Sequence, residues 1–119
     1  MEELLKNLNS INFYFSNIDE ILQGRTIEVF KHEWERIAFE IELMKDINGY
    51  SKEQEKYTNR IKEKASKRIY ESTGDSELAD CVLHDFAILS DGAQLGYKDT
   101  WFTKFRNCYE AAIIPTGEL

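Results

Sequence analysis

One proline, Pro115, stands near the C-terminus, and only six glycines accompany it in 119 residues. Little therefore interrupts a helix over most of the chain. The two cysteines, Cys81 and Cys108, are too few for a disulfide framework and suit a reducing compartment. Two histidines, His32 and His84, leave little material for a metal site. No apolar run approaches the ~20 residues of a membrane span. No basic segment followed by an apolar run opens the chain, so no signal peptide is expected and a cytoplasmic location is. Positive charge is scarce. Fifteen Lys and Arg stand against 22 Asp and Glu, a formal charge of −7. Such a chain is repelled by phosphate backbones and by anionic membranes, which points away from nucleic acid and towards a basic protein partner.

What is present favours one all-α domain spanning residues 1–119. Hydrophobic residues make up 42%, enough to fill a core and to exclude global disorder. Helical periodicity predicts an antiparallel bundle of about five helices. The first covers about 2–23, with Leu4, Leu8, Ile11, Phe15, Ile18 and Leu22 on one face and a possible break near Asn9-Ser10. The alternating run Ile11 to Phe15 is also strand-like, but the 3.6-residue pattern around it prevails. The second covers about 26–47. It has one apolar stripe of Ile27, Phe30, Trp34, Ile37, Ile41 and Met44, and another of Val29, Phe39, Leu43 and Ile47. Two stripes predict a central helix packed by more than one neighbour, within one chain or across a dimer.

The third helix covers 52–73, opened by a Ser51/Gln54 capping box and closed by Gly74, with a thin row of Tyr57, Ile61, Ala65 and Ile69. The fourth covers about 77–94, capped by Asp75 or Ser76, with Leu78, Val82, Phe86, Leu89 and Ala93 inward. The fifth covers about 100–112, capped by Asp99, with Trp101, Phe102, Phe105, Tyr109 and Ala112 inward. Trp34 and Phe86 sit mid-stripe and are expected in the core.

Charge is segregated. Residues 1–46 carry net −5, residues 47–73 net +3 and residues 74–119 net −5. On the second helix Glu28, Glu35, Glu42 and Asp46 fall within about 40° of arc, a row that serves either solubility or docking of Lys and Arg. On the fourth, Asp80, His84 and Asp91 are expected on the outer face. Asp85 falls at the edge of the core and needs a donor from the fold or from a partner. These eight residues are the candidate partner-binding set.

Catalytic patterns are poorly supported. Cys81 and His84 are spaced i, i+3, but a zinc site needs about four ligands. His32 has Glu28 and Glu35 as helical neighbours without any Glu-x-x-His motif. No Gly-x-Ser-x-Gly and no phosphate-cradling glycine loop occurs. No cofactor is implied.

One stretch carries a resemblance. Residues 78–115 contain His84-Asp85-Phe86, Leu95-Gly96-Tyr97, Asp99 with Trp101, Tyr109 and Pro115. This resembles small helical immunity proteins of bacterial polymorphic toxin and contact-dependent growth inhibition systems. His84 stands where those proteins carry an acid, which leaves Asp85 to represent the acidic pair. The resemblance implies a non-catalytic protein that binds and neutralises a cognate toxin, commonly a nuclease with a basic groove. Tyr50, Tyr57 and Tyr97 are then candidate anchors. Two rivals remain open. One is an acidic adaptor bundle, such as a DNA mimic that binds a basic protein. The other is a small hydrolase using His32, His84 and nearby acids.

Overall fold

A computed structural model describes residues 1–13 and 15–119, with side chains left undescribed at 15 and 16. The inward placement expected of Phe15, and the strand-like run through Tyr14, lie outside the described residues. Among the described residues six α-helices follow in order: α1 (Glu2–Asn7), α2 (Phe15–Gly24), α3 (Glu28–Asn48), α4 (Lys52–Thr73), α5 (Ser76–Leu95) and α6 (Thr100–Glu110). The architecture is all-α, as expected, with no strand among the described residues. The first expected helix is divided. A 3-10 turn at Leu8–Ser10 ends α1, and Ile11 is extended at φ −70°, ψ 128°. Asn and Ser compete for backbone hydrogen bonds there, and the break falls at those residues.

Caps set the starts of the last three helices. Ser51 and Gln54 form the complete capping box of α4. Asp75 accepts from the Leu78 N–H and Asp99 from the Phe102 N–H, which fixes the starts of α5 and α6. α4 and α5 are joined by a two-residue turn and pack antiparallel along their length.

The central helix is α5, not α3. α5 buries residues on several sides, among them Leu78, Val82, Phe86, Ile88 and Leu89. Gly92 lets α6 approach closely, since a Cβ there would stand 2.5 Å from Cζ of Phe102. Ala93, expected inward, is exposed. α3 buries only its first stripe, with Phe30, Ile37 and Ile41 in the core and Trp34 part-buried against it. Its second stripe is open: Phe39 is 64%, Leu43 43% and Ile47 79% exposed. The reason lies in the partners. α3 rests against α5 on one side, and no described element covers the other.

The chain ends are fastened. Asn7 Nδ2 donates to the carbonyls of Tyr109 (3.3 Å) and Glu110 (3.1 Å), satisfying groups at the end of α6. The tail folds back instead of extending. Ile114 and Pro115 are buried, the Thr116 hydroxyl donates to the Ile21 carbonyl at 3.0 Å, and the Gly117 N–H donates to Gly24 at 3.1 Å. Gly24 has to be glycine for this contact, because a Cβ would collide with Thr116.

Candidate functional site

The eight predicted partner residues separate into three places. Glu28, Glu35, Glu42 and Asp46 are exposed along α3; Asp80 and His84 are exposed on α5; Asp85 and Asp91 are inside.

Asp85 has no exposed surface. Its Oδ1 accepts from Arg25 Nη2 (2.5 Å) and Trp34 Nε1 (3.0 Å), and its Oδ2 from the Tyr109 hydroxyl (2.5 Å). The donor that the sequence required thus comes from the fold three times over, which is what a buried carboxylate needs. Arg25 also donates through Nη1 to the Pro115 carbonyl at 2.8 Å and lies 4.7 Å above the Phe30 ring. Burial works to lower the Arg25 pKa, but Asp85 outweighs it and holds the guanidinium above its ordinary value. Burial, then the Asp85 charge, push the Tyr109 hydroxyl well up, so it stays a donor.

Asp91 was expected outside and is 6% exposed. It shares a row of α5 with Asp80 and His84, but its end of that row is covered by Tyr50, Thr58 and Lys45. Lys45 Nζ meets Oδ2 at 2.7 Å; the Tyr50 hydroxyl and Thr58 Oγ1 (2.8 Å) both donate to Oδ1. Gln94 Nε2 closes the cluster at 3.0 Å from the Tyr50 hydroxyl and from the Gln54 carbonyl. Burial, then the bond to Asp91, push Tyr50 up to about 12. Tyr50 is therefore engaged within the fold and is no free anchor. Tyr97 is likewise occupied, donating to Glu40 at 2.6 Å, and Tyr57 lies part-buried beneath Arg60.

Arg36 forms a third cluster. It binds Asp99 in fork geometry at 3.0 and 3.1 Å, and also reaches Glu33 (2.5 Å) and Glu40 (3.0 Å). Those hydrogen bonds hold Asp99 below the usual carboxylate range, against the upward push of burial. The residue that caps α6 is in this way tied to α3.

Sequence reasoning missed Arg25, Arg36 and Lys45. Arg25 stands 60 positions from Asp85. Its one local signal is a lone cation in the turn between α2 and α3.

The motif residues Asp85, Tyr97, Asp99, Tyr109 and Pro115 thus hold the α2–α3 turn, α3, α5, α6 and the tail to each other. They explain a shared fold more directly than a shared binding surface.

The outer face of α3 is exposed. Glu28, Glu35 and Asp46 have no ion-pair partner among the described residues, while Glu42 has Lys45 at 3.0 Å. At 100° per residue, Phe39, Leu43 and Ile47 lie alongside this acidic row on the same open side. The exposed side of α4 differs: Lys56, Arg60, Lys64 and Lys67 line a groove along it.

Neither histidine has a ligand set about it. His84 stands 3.6 Å from Asp80, and no three His, Cys, Asp or Glu side chains are placed to hold a metal among the described residues. No helix among them is long and apolar enough to cross a membrane.

No curated protein and no solved structure matches the chain. A family model described as Immunity protein PIM1 matches residues 2–116, nearly all of the sequence. That match reaches well beyond residues 78–115, through every helix and every cluster described above. The chain belongs to the PIM1 family of immunity proteins, inhibitors of a cognate toxin and not enzymes.

Proposed function

We propose that the protein neutralises a nuclease toxin of a contact-dependent inhibition system by one-to-one binding in the cytoplasm. The outer face of α3 meets the toxin's basic substrate-binding surface in this reading. Glu28, Glu35, Glu42 and Asp46 steer association, because opposite charges raise encounter rates by long-range attraction. Asp80 and His84 offer a second exposed patch on α5. Asp85 and Asp91 act through the fold, by fixing α3 and α5 in register.

The observation that carries this is the state of the row. It extends roughly 27 Å along α3 at 1.5 Å per residue, and three of its four carboxylates have no cation partner among the described residues. Within the row Glu42 and Asp46, four residues apart, repel one another. Arg36 is drawn to Glu33, Glu40 and Asp99, and Lys45 to Asp91 and Glu42, which leaves Glu28, Glu35 and Asp46 without a cation among the described residues.

The test is co-expression with the toxin encoded beside this gene, followed by association kinetics. Wild-type protein protects growth and co-purifies with the toxin. Association slows as salt rises, since exposed charges are screened beyond ~8 Å at physiological ionic strength. Glu35→Lys with Glu42→Lys slows it about tenfold or more without lowering the melting temperature. Association indifferent to both salt and reversal would remove the steering role.

A further inference from the structure

We infer that Phe39, Leu43 and Ile47 form the anchor of the toxin interface and receive an apolar ridge of the toxin flanked by Lys and Arg. This rests on the reading that the α3 face docks the toxin, and it assigns the energy of binding to residues outside the acidic row.

The three side chains are spaced i, i+4, i+8, which stacks them in a continuous strip about 12 Å long. Each is substantially exposed, at 64%, 43% and 79%. Single exposed apolar residues are ordinary, but a contiguous strip on one helix face marks an interaction surface. No described element covers it. The core stripe of α3 lies on the opposite side, and the C-terminal tail is committed to Gly24 and Arg25.

Three occupants can be weighed. This chain's own tail is placed elsewhere. A second copy is opposed by charge: a symmetric pairing through this face brings two rows of four carboxylates together in a protein already at −7. A basic partner gains on both counts. Its Lys and Arg meet Glu28, Glu35, Glu42 and Asp46 at the rim, while its apolar ridge covers Phe39, Leu43 and Ile47 at the centre. Apolar anchors inside a charged rim are the usual division of labour at tight interfaces, where anchors set dissociation and rim charges set association.

That division supplies the test. Dissociation and association rates are measured for wild type, Phe39→Ala, Leu43→Ala, Ile47→Ser and the Glu35→Lys/Glu42→Lys pair, with the co-purified toxin as probe. Tyr70→Ser is the control, an exposed aromatic on α4. Melting temperature and mass by light scattering are recorded for each. Phe39→Ala and Leu43→Ala should speed dissociation about 30-fold or more, the scale of a binding hot spot. Their association rate, salt slope and melting temperature should stay at wild-type values, and Tyr70→Ser should behave as wild type throughout. Unchanged dissociation in all three apolar variants, with toxin still bound, overturns the anchor and leaves toxin binding standing. A dimer in free wild type that Phe39→Ala abolishes assigns the strip to a second copy and also overturns it. Failure of wild type to bind the toxin removes the docking reading itself, and the anchor with it.

Discussion

Arg25 and Asp85 meet at 2.5 Å with the carboxylate fully enclosed and the guanidinium nearly so. A pair so buried is only as good as its remaining hydrogen bonds. Here they are supplied by Trp34, Tyr109 and the Pro115 carbonyl, so one contact draws on α3, α5, α6, the tail and the α2–α3 turn.

Removing one partner strands the other. Asp85→Ala leaves the Arg25 charge buried without its anion and should cost about 3–5 kcal/mol by urea denaturation. Arg25→Ala should cost a similar amount. The double variant should be less destabilised than the sum of the two, because it leaves no orphan charge. Additive losses would show that the pair does not act as a unit.

The charge clusters bound the protein's stability at both ends of the pH scale. Asp99 has its folded pKa depressed by Arg36. Its contribution is present above the unfolded value of ~3.9 and is lost as pH falls through the lower folded value. Tyr50 has its folded pKa raised to about 12. Its contribution is intact below the unfolded value of ~10 and is lost as pH rises through about 12. Asp99→Asn keeps a helix cap but loses the charged fork, and should flatten the acid limb of a stability–pH curve. Tyr50→Phe should flatten the alkaline limb. Tyrosinate absorbance followed alongside unfolding checks the second assignment.

Phe86 and Trp34 test the core from two depths. Phe86 is fully buried and meets Tyr109 edge-on at 4.9 Å, so Phe86→Ala should cost about 3–5 kcal/mol. Trp34 is part-buried and donates to Asp85. Trp34→Ala should cost less in packing, but it also removes a bond to a charged group worth ~1.5–3 kcal/mol. A loss below about 1 kcal/mol at either position would misplace the stripe.

The sequence is most informative where chemistry is local. α4 begins and ends where Ser51, Gln54 and Gly74 place it, and Asp75 and Asp99 cap the helices they were expected to cap. It is least informative about which helix lies at the centre. α3 shows two apolar stripes and α5 carries Asp85, Ser90 and Asp91, so the stripe pattern points to α3 although α5 is the more apolar helix. Burial goes the other way because Arg25, Lys45, Tyr50 and Thr58 satisfy the polar groups of α5 from a distance. Arg25 and Asp85 are 60 residues apart, and no spacing announces such a pair. The exposed acids of α3 were legible as a row. The openness of the stripe beside them was not, because periodicity reports a face and never what covers it.

The fastening of the tail has a bearing on timing during synthesis. Asp85 acquires Tyr109 as a donor, and Arg25 the Pro115 carbonyl, only after the last tenth of the described chain has been made. Until then a nascent chain holds a carboxylate and a guanidinium in its forming interior with bonds missing from each. At roughly 5–20 residues per second, the wait from residue 85 to residue 117 is about 2–6 seconds. A chain stopped before Tyr109 therefore holds the Arg25–Asp85 pair short of one donor to the carboxylate and one acceptor for the guanidinium.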